Sequence, residues 1–426
     1  SVTFGELRPH IHTALRASAG GSTIFPETRL LAEATVCAVV GATARQSDGA
    51  DPEAVVLKMV KPAVEKNLAR ELAILDDLAR FLDDNAPRWG LGAFRFQETF
   101  EQVRWCLENE VDLSAEQKNL RDAGAYFKDH GLLRVPRALN DSTARMTIMS
   151  REEGHKITAV DHLDRSQRRA LAMVVARTLI LEPITSLAPS SIFHGDPHAG
   201  NIAYEFKGDQ PHLILYDWGM MGRLSPMDRF ALVLMALGIA AQSTLVIVFA
   251  ADLIAKGEIS ADQSLSAALT RDIDGLLARR EHRFTDILAT LEAVFENLTR
   301  QGISLPLNLM MYKKAQVTLK GVLAAIDPGF ARDDYLIWAA ATTFVRDFAH
   351  FRYQRMVMAA AWNLHQQSLG RVLRLQKQLL ILFRETGLWL LSMPFALLEE
   401  TRAGVQAAIV PIRAHSPRNP RAPSHS

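Results

Sequence analysis

Two aspartates and an asparagine flank a predicted β-hairpin in the middle of the chain, at Asp196, Asn201 and Asp217. The hairpin consists of two β-prone runs, 202–206 and 212–216, joined by the turn residues Lys-Gly-Asp-Gln. Because a hairpin returns the chain to the end at which it started, we expect Asn201 and Asp217 to lie at the same end of the sheet. Their amide and carboxylate oxygens are hard ligands suited to Mg²⁺. The pattern therefore predicts a site for Mg²⁺ and a nucleoside triphosphate, with Asp196 facing the attacking group as a base or orienting residue.

Two other interpretations fit parts of this segment. The polar residues could simply cap loop turns, but their joint spacing around two strands argues against this for the whole set. Alternatively, His194, Asp196 and His198 could be transition-metal ligands of a hydrolase. No further His/Asp cluster in the sequence completes such a site, and the hypothesis leaves Asn201 and Asp217 without a role.

A lysine amid apolar residues, Lys58, lies in the strongly β-prone run 54–60. A lone lysine of this kind most often lies on an edge strand with its charge in water. In a phosphate site, by contrast, a glutamate on a following helix would hold the ammonium group toward the phosphates. The chain offers three carboxylates for this, Glu110, Asp112 and Glu116, which could equally be a solvated acidic helix start. Spacing alone does not choose which of them pairs with Lys58.

The alternation of β-prone and helical segments predicts an α+β chain, and 426 residues suffice for two lobes with substantial cores. Residues 1–30 show little pattern and are expected to form an N-terminal extension. We expect an N-lobe over 31–150 and a C-lobe, with the loop and hairpin described above, over 151–410. The elements predicted in detail are a hairpin over 31–60, helices over 62–82 and 111–127, strands over 132–138 and 145–149, and mostly helix from 166 onward.

The composition argues against several classes of protein. The formal net charge of +1 does not suit a dedicated nucleic-acid surface. The two cysteines, Cys37 and Cys106, argue against a disulfide framework and for a reducing compartment. The chain does not start with a basic region followed by an apolar run, so we expect no secretory signal. Residues 411–426 are rich in Pro, Arg, Ser and His and are predicted to be a disordered tail.

An uncharged run over 230–251 is long enough to span a bilayer. Polar or small residues interrupt it near the middle, at Gly238, Gln242, Ser243 and Thr244. This interruption favours a buried helix or helix pair over a membrane span, and association with a lipid surface is the remaining alternative. We therefore expect a cytoplasmic protein, either free or peripheral at the inner face of a membrane.

Taken together, the motifs resemble those of the UbiB/ADCK family of atypical protein-kinase-like proteins. The run 55–62 is similar to the family's VAVKVQxP strand, and the loop 194–201 matches HGDPHPGN at seven of eight positions, with Ala199 in place of the second proline. The family's E-x-D-x-x-x-E-x-x-N helix motif is matched by Glu110, Asp112, Glu116 and Asn119. Its DFGM motif resembles Asp217-Trp218-Gly219-Met220. The similarity covers roughly residues 30–330.

The resemblance implies a two-lobed protein-kinase-like fold, with a small mixed sheet in the N-lobe and a large, mostly helical C-lobe. It implies that Lys58 contacts the α- and β-phosphates of ATP with Glu116 as its ion-pair partner. Asp196 would be the catalytic aspartate, and Asn201 and Asp217 would bind Mg²⁺. Further implied nucleotide contacts are the acidic pair Glu110 and Asp112, an alanine-rich phosphate loop (Ala32, Glu33, Ala34, Thr35) and an adenine-binding linker (Met149, Ser150, Arg151, Glu152).

The chain departs from the family pattern at several positions. The family's Lys-x-Gly-Gln segment, which covers its active site, does not occur among residues 1–30. Glu33 and Thr35 depart from the usual Ala-Ala-Ala-Ser loop, and Ser150 stands where the family usually has glutamate. Trp218 replaces phenylalanine, and its indole N–H requires a hydrogen-bond partner. These changes bear on the acceptor and on turnover more than on nucleotide binding.

The function implied by the resemblance is that of an ATP-binding, Mg²⁺-dependent atypical kinase or ATPase that supports isoprenoid-quinone or lipid metabolism. Its partners would be ATP, an isoprenoid lipid or quinone-biosynthesis proteins, and a membrane surface, but no nucleic acid. One alternative is a small-molecule phosphotransferase of the aminoglycoside and choline kinase type, which Asp217-Trp218 resembles but which generally lacks the Glu110–Asn119 helix motif. Another is a nucleotide-binding scaffold without turnover; the retained residues Lys58, Asp196, Asn201 and Asp217 argue against it.

Overall fold

The structure is a computed structural model that describes residues 2–18, 20–34, 36–46, 51–89, 96–279, 287–336 and 339. A sheet-based N-lobe is followed by a larger helical C-lobe, which confirms the predicted fold class. The part of the predicted C-lobe beyond residue 339 and the predicted tail 411–426 lie outside the described residues.

The bounds of the elements are as follows. The strands are β1 (Ser22–Glu33), β2 (Cys37–Gln46), β3 (Glu53–Val60), β4 (Leu133–Arg134), β5 (Met146–Ser150), β6 (His155–Lys156), β7 (Ser191–His194), β8 (Ile202–Lys207), β9 (Gln210–Leu215) and β10 (Met221–Leu224). The helices are α1 (Phe4–Arg16), α2 (Pro62–Asn85), α3 (Phe96–Val111), α4 (Leu113–Tyr126), α5 (Arg165–Ala176), α6 (Glu182–Thr185), α7 (Pro226–Ala240), α8 (Thr244–Ile254), α9 (Glu258–Ala261), α10 (Gln263–Ala278), α11 (Ile287–Arg300) and α12 (Leu307–Ile326). A 3₁₀ turn (Ala86–Trp89) follows α2, and a π-helical turn (Arg177–Leu181) joins α5 to α6.

The N-lobe sheet has the strand order β1-β2-β3-β5, and each neighbouring pair is antiparallel. The hairpin predicted over 31–60 is present as β2 and β3, with Cys37 opposite Val60. Alternate side chains of these strands, such as Leu57 and Met59, pack against α1 on one face of the sheet. Because side chains of a strand alternate between faces, Lys58 lies on the opposite face, toward the C-lobe.

The region 1–30, which showed little pattern in the sequence, forms α1 and most of β1. A capping box begins α1: the Thr3 side chain accepts the Glu6 N–H, and the Glu6 carboxylate accepts the Thr3 N–H at 2.7 Å. Leu7, Ile11 and Ala14 then bury one face of the helix against the sheet. A Thr-x-x-Glu start followed by this apolar spacing is a readable helix signal. The segment is therefore part of the N-lobe core rather than an extension.

The predicted hairpin in the C-lobe is present as β8 and β9, in which Ile202 pairs with Leu215. β4 joins β9 in parallel and β6 joins β8, and a separate antiparallel pair is formed by β7 and β10. β7 leads into the loop that carries Asp196, and β10 follows the segment that carries Asp217. The two small sheets thus bring the loop and both ends of the hairpin together.

The uncharged run 230–251 lies in the buried helices α7 and α8, in agreement with the predicted helix pair. The helices pack closely because Gly238 has no side chain: a Cβ there would lie 2.9 Å from Ile247 Cγ1. Within the described ranges, no helix combines the length and the apolar character needed to cross a bilayer.

Candidate active site

Lys58 lies on a central strand, since β3 pairs with β2 on one side and β5 on the other. The edge-strand interpretation of this lysine is therefore wrong. Its side chain is only 9% exposed, and its Nζ lies 2.7 Å from Glu116 Oε1 and 2.9 Å from Asp217 Oδ1. Two carboxylates, from α4 and from the segment after β9, thus converge on the ammonium group that β3 carries.

The charges in this cluster stabilise each other. Burial pushes the pKa of Lys58 down, but the carboxylates of Glu116 and Asp217 outweigh this effect, so the pKa is raised and the lysine stays cationic. Burial raises the pKa of Glu116, and the neighbouring Lys58 opposes that shift. For Asp217, burial acts to raise the pKa, but Lys58 outweighs it and the pKa is lowered. Asp217 retains 43% of its side-chain exposure, so it is the member of the cluster that a ligand can reach.

Helix α4 selects Glu116 from the three acidic candidates. Asp112 is its N-cap, with the side chain accepting the Ala115 N–H at 3.0 Å, and Glu116 follows in the first turn. Glu110 is the penultimate residue of α3, and its side chain lies outside the described residues. The nucleotide roles implied for Asp112 and Glu110 stay predictions.

The same helix is fixed to both lobes by its next polar residues. Gln117 Nε2 donates to the backbone oxygen of Thr143 at 2.8 Å and to Thr147 Oγ1 at 3.2 Å, which holds α4 against β5. Asn119 Nδ2 donates to the backbone oxygen of Trp218 at 2.9 Å. The position of Glu116 beside Lys58 is therefore defined by contacts on either side of it.

His194 organises the loop that carries Asp196. Its Nε2–H donates to the backbone oxygen of Tyr216 at 2.8 Å, and its Nδ1 accepts the Asp196 N–H at 3.2 Å. Burial lowers the pKa of His194, which keeps the ring neutral and suits this pattern of one donor and one acceptor. Both ring nitrogens are occupied, so His194 is not available as a metal ligand. Within the described part of the chain, no three His, Cys, Asp or Glu side chains cluster as a metal site.

Asn201 and Asp217 lie at the same end of the β8–β9 hairpin, as predicted. The Tyr216 N–H donates to the backbone oxygen of Asn201 at 2.9 Å, which closes this end. Asn201 Nδ2 donates to the backbone oxygen of Asp196 at 3.1 Å, so the amide oxygen is the end of the side chain left for a ligand. Asp217 has a positive φ of 52°, a conformation that aspartate tolerates better than most residues. One amide oxygen and one carboxylate form a donor set that fits Mg²⁺.

Trp218 satisfies the requirement noted from its sequence. It is fully buried, and its Nε1–H donates to the backbone oxygen of Leu215 at 3.0 Å. The ring packs against His194 and Phe127, with ring centroids 4.9 Å and 5.9 Å away. The indole therefore supports the turn that positions Asp217.

The implied phosphate loop comprises the end of β1 and the start of the connection to β2. Ala32 and Glu33 are the last paired residues of β1, and the Ala34 N–H donates to the backbone oxygen of Cys37 at 2.9 Å. Glu33 Oε1 lies 2.8 Å from Lys61 Nζ, and this hydrogen bond lowers the pKa of Glu33. Thr35 lies outside the described residues. Contact between this loop and phosphate stays a prediction, and Lys61 is a neighbour that the sequence reading missed.

The implied adenine-binding linker leaves β5 with part of its backbone already engaged. The N–H groups of Ser150 and Arg151 donate to the backbone oxygens of Arg137 and Ala54, and the carbonyl of Glu152 accepts the Tyr216 O–H at 3.0 Å. The adenine role of Met149–Glu152 stays a prediction. It depends on the backbone N–H and C=O groups of the linker that these hydrogen bonds do not use. Arg151 Nη1 lies 3.2 Å from Glu27 Oε1 and connects the linker to β1.

A second residue that sequence reasoning missed is Lys314 on α12. Its Nζ lies 3.5 Å from Asp196 Oδ1. The two residues are more than a hundred positions apart, and no local motif marks Lys314, so only the packing of α12 against the loop reveals it.

Comparison with known proteins agrees with this arrangement. Residues 28–249, more than half of the chain, match the ABC1 atypical kinase-like domain. The chain is 26% identical over 343 residues to "Probable protein kinase UbiB" of Xanthomonas campestris pv. campestris (strain B100), which covers 77% of this chain and 58% of that protein. It is 27% identical over 284 residues to "Uncharacterized protein sll1770" of Synechocystis sp., covering 65% of this chain and 47% of that protein. The chain thus spans about half the length of these curated relatives.

A solved structure shows the same fold. It is the complex of Rv3197 with erythromycin from Mycobacterium tuberculosis, with a TM-score of 0.50 and 17% identity, covering 76% of this chain and 82% of that one. The likeness extends across both lobes, and the family match includes Lys58, Glu116, Asp196, Asn201 and Asp217. The chain therefore belongs to the ABC1 atypical kinase-like family, as its resemblance to the UbiB/ADCK proteins indicated.

Proposed function

We propose that this protein binds ATP and Mg²⁺ in the cleft between its lobes and acts as an atypical kinase or ATPase. The observation that carries the proposal is the buried Lys58, held between Glu116 at 2.7 Å and Asp217 at 2.9 Å. A fixed cation of this kind suits the charged oxygens of a polyphosphate. Because Asp217 is the exposed partner, Lys58 would exchange its contact with Asp217 for phosphate oxygens and keep its contact with the buried Glu116.

Asn201 and Asp217 would hold the metal, since the hairpin presents an amide oxygen and a carboxylate at one end. When bound, Mg²⁺ neutralises charge on the phosphate oxygens during transfer. The lowered pKa of Asp217 keeps this carboxylate ionised, as a ligand for a divalent cation requires.

Asp196 would act on the acceptor. Its backbone is fixed from two sides, by His194 through the N–H and by Asn201 through the carbonyl, while 30% of its side chain remains exposed. A carboxylate held in this way can orient an acceptor hydroxyl or a water molecule and take its proton. The same arrangement therefore serves either a kinase or an ATPase.

We further propose that the activity supports isoprenoid-quinone or lipid metabolism, with the protein peripheral to a membrane. The support is the sequence similarity to the Xanthomonas proteins named "Probable protein kinase UbiB". Comparing ATP hydrolysis with and without liposomes and isoprenoid-phenol analogues tests this role. Stimulation by these additions is expected, whereas phosphorylation of soluble amino-alcohols would favour a phosphotransferase of the aminoglycoside and choline kinase type. Nucleotide binding without turnover would favour the scaffold.

The variant Asp217→Asn tests nucleotide binding directly. Wild type at 100 times its dissociation constant for Mg²⁺-ATP should gain about 2.7 kcal/mol of stability, seen as a rise in Tm. The variant removes one charge from the proposed metal site at nearly constant shape and should lose most of this rise. Asp209→Asn, in the exposed turn between β8 and β9, is the matched control and should keep it. An equal rise in Asp217→Asn and wild type would contradict the proposal.

A further inference from the structure

Lys314 places a positive charge directly beside the proposed base. Its Nζ lies 3.5 Å from Asp196 Oδ1 and 4.0 Å from the Sδ of Met220, the residue that follows the Asp217–Gly219 turn. The lysine side chain is 52% exposed and the Asp196 side chain 30% exposed. The contact is long and open to solvent, so the ammonium group is free to engage a ligand that enters beside Asp196.

Helix α12 holds this lysine at a defined position against the loop 194–201. Met311, one turn earlier on the same face, packs so closely on Gly195 that a Cβ there would lie 2.7 Å from its Cε. Tyr312 donates its O–H to the backbone oxygen of Ile180 at 2.6 Å, and Asn308 Oδ1 accepts the Arg223 N–H at 3.1 Å. A charge presented by a helix anchored in this way is positioned more accurately than one presented by a loop.

The loop itself supplies no cation for the transferred group. Residues 194–201 include no lysine or arginine, and the buried His194 is neutral. Lys58 forms its ion pairs with Glu116 at 2.7 Å and Asp217 at 2.9 Å, both of which lie outside this loop. Transfer of a phosphoryl group is accelerated by positive groups aimed at the oxygens on which charge develops. Lys314 is placed to provide such a group from outside the loop.

We propose that Lys314 is a further catalytic residue, which contacts the terminal phosphate of ATP and stabilises its charge during transfer. This inference rests on the proposed function. In the step, the acceptor oxygen of a hydroxyl or water forms a bond to the terminal phosphorus while the bond from that phosphorus to the ADP oxygen breaks. ADP keeps the electron pair of the broken bond, and the acceptor proton passes to Asp196. Lys314 contributes charge and exchanges no proton.

The test compares Lys314→Met, Lys314→Gln and Lys314→Arg with wild type. Lys313→Met is the matched control, because Lys313 is adjacent but directs its Nζ to Glu296 of α11 at 3.7 Å. With Mg²⁺ present, the dissociation constants for ADP and for the non-hydrolysable analogue AMP-PNP are measured along with kcat for ATP. We expect Lys314→Met and Lys314→Gln to weaken AMP-PNP about tenfold while ADP changes less than about twofold. The kcat should fall on the order of 100-fold, with most of it restored in Lys314→Arg and no change in Lys313→Met.

The ratio of the two dissociation constants separates the possible results. A residue that only supports the fold would shift both nucleotides together, so an unchanged ratio in Lys314→Met and Lys314→Gln overturns the inference. If wild type binds both nucleotides in that case, the proposed function stands without Lys314. Failure of wild type to bind either nucleotide would instead remove the proposed function, and this inference with it.

Discussion

Replacing Lys58 by methionine turns a buried ion pair into a buried carboxylate without its cation. Glu116 is 2% exposed and would be left beside the carboxylate of Asp217. Removing one partner of a buried pair costs about 3–5 kcal/mol. Protonation of Glu116 limits this loss, because neutralising a carboxyl of ordinary pKa 4.5 at pH 7 costs about 3.4 kcal/mol. We therefore expect Lys58→Met to lose about 3 kcal/mol of unfolding free energy at pH 7.

The loss should become smaller as the pH falls. Without Lys58, burial raises the pKa of Glu116 further. The folded variant therefore keeps a proton on Glu116 at pH values above 4.5, where the unfolded chain has lost it. Stability from that proton is fully present below pH 4.5 and is lost as the pH rises through the raised pKa. At pH 5, neutralising Glu116 costs only about 0.7 kcal/mol, and this cost limits the loss of unfolding free energy at that pH.

Urea unfolding at pH 7 and pH 5 measures both numbers. The double variant Lys58→Met/Glu116→Leu should recover most of the stability, since an apolar pair replaces the unpaired charge. Lys118→Met, which removes an exposed pair with Asp122, should cost less than about 1 kcal/mol at either pH. A loss below about 1 kcal/mol for Lys58→Met at pH 7, or an equal loss at both pH values, would refute the reasoning.

Two further predictions concern the C-lobe side of the site. Asp196→Asn should lower ATP turnover on the order of 100-fold or more while Mg²⁺-nucleotide binding changes little, because the variant loses the proton acceptor and not a metal ligand; parallel loss of binding and turnover would contradict this assignment. Trp218→Phe, which restores the family's residue, should cost about 1 kcal/mol in urea unfolding, since the hydrogen bond to Leu215 is lost. Equal stability of Trp218→Phe and wild type would show that this bond contributes nothing net.

The hairpin and its flanking residues were predictable because the information is local. Turn residues between two β-prone runs define β8 and β9, and a hairpin necessarily returns Asp217 to the end where Asn201 lies. The helix α1 was also readable in principle, since Thr3 and Glu6 form a capping box ahead of an apolar face.

The pairing of Lys58 with Glu116 could not be derived from spacing, because it depends on how α4 lies across the sheet. Asp112 and Glu116 both belong to the start of this helix, yet one caps it and the other points to β3. Lys314 is a stronger case, since its contact with Asp196 arises from the packing of a helix far along the chain. Such contacts between distant segments are set by tertiary packing, which residue spacing in one sequence does not reveal. The motif resemblance supplied Glu116, but no motif marked Lys314.

Helix α4 reaches β3 through Glu116, β5 through Gln117 and the turn after β9 through Asn119. A rotation or slide of this helix would release all three contacts in the same movement. The arrangement of Lys58 in the N-lobe and of the Asp217–Gly219 turn in the C-lobe is therefore coupled through this one helix.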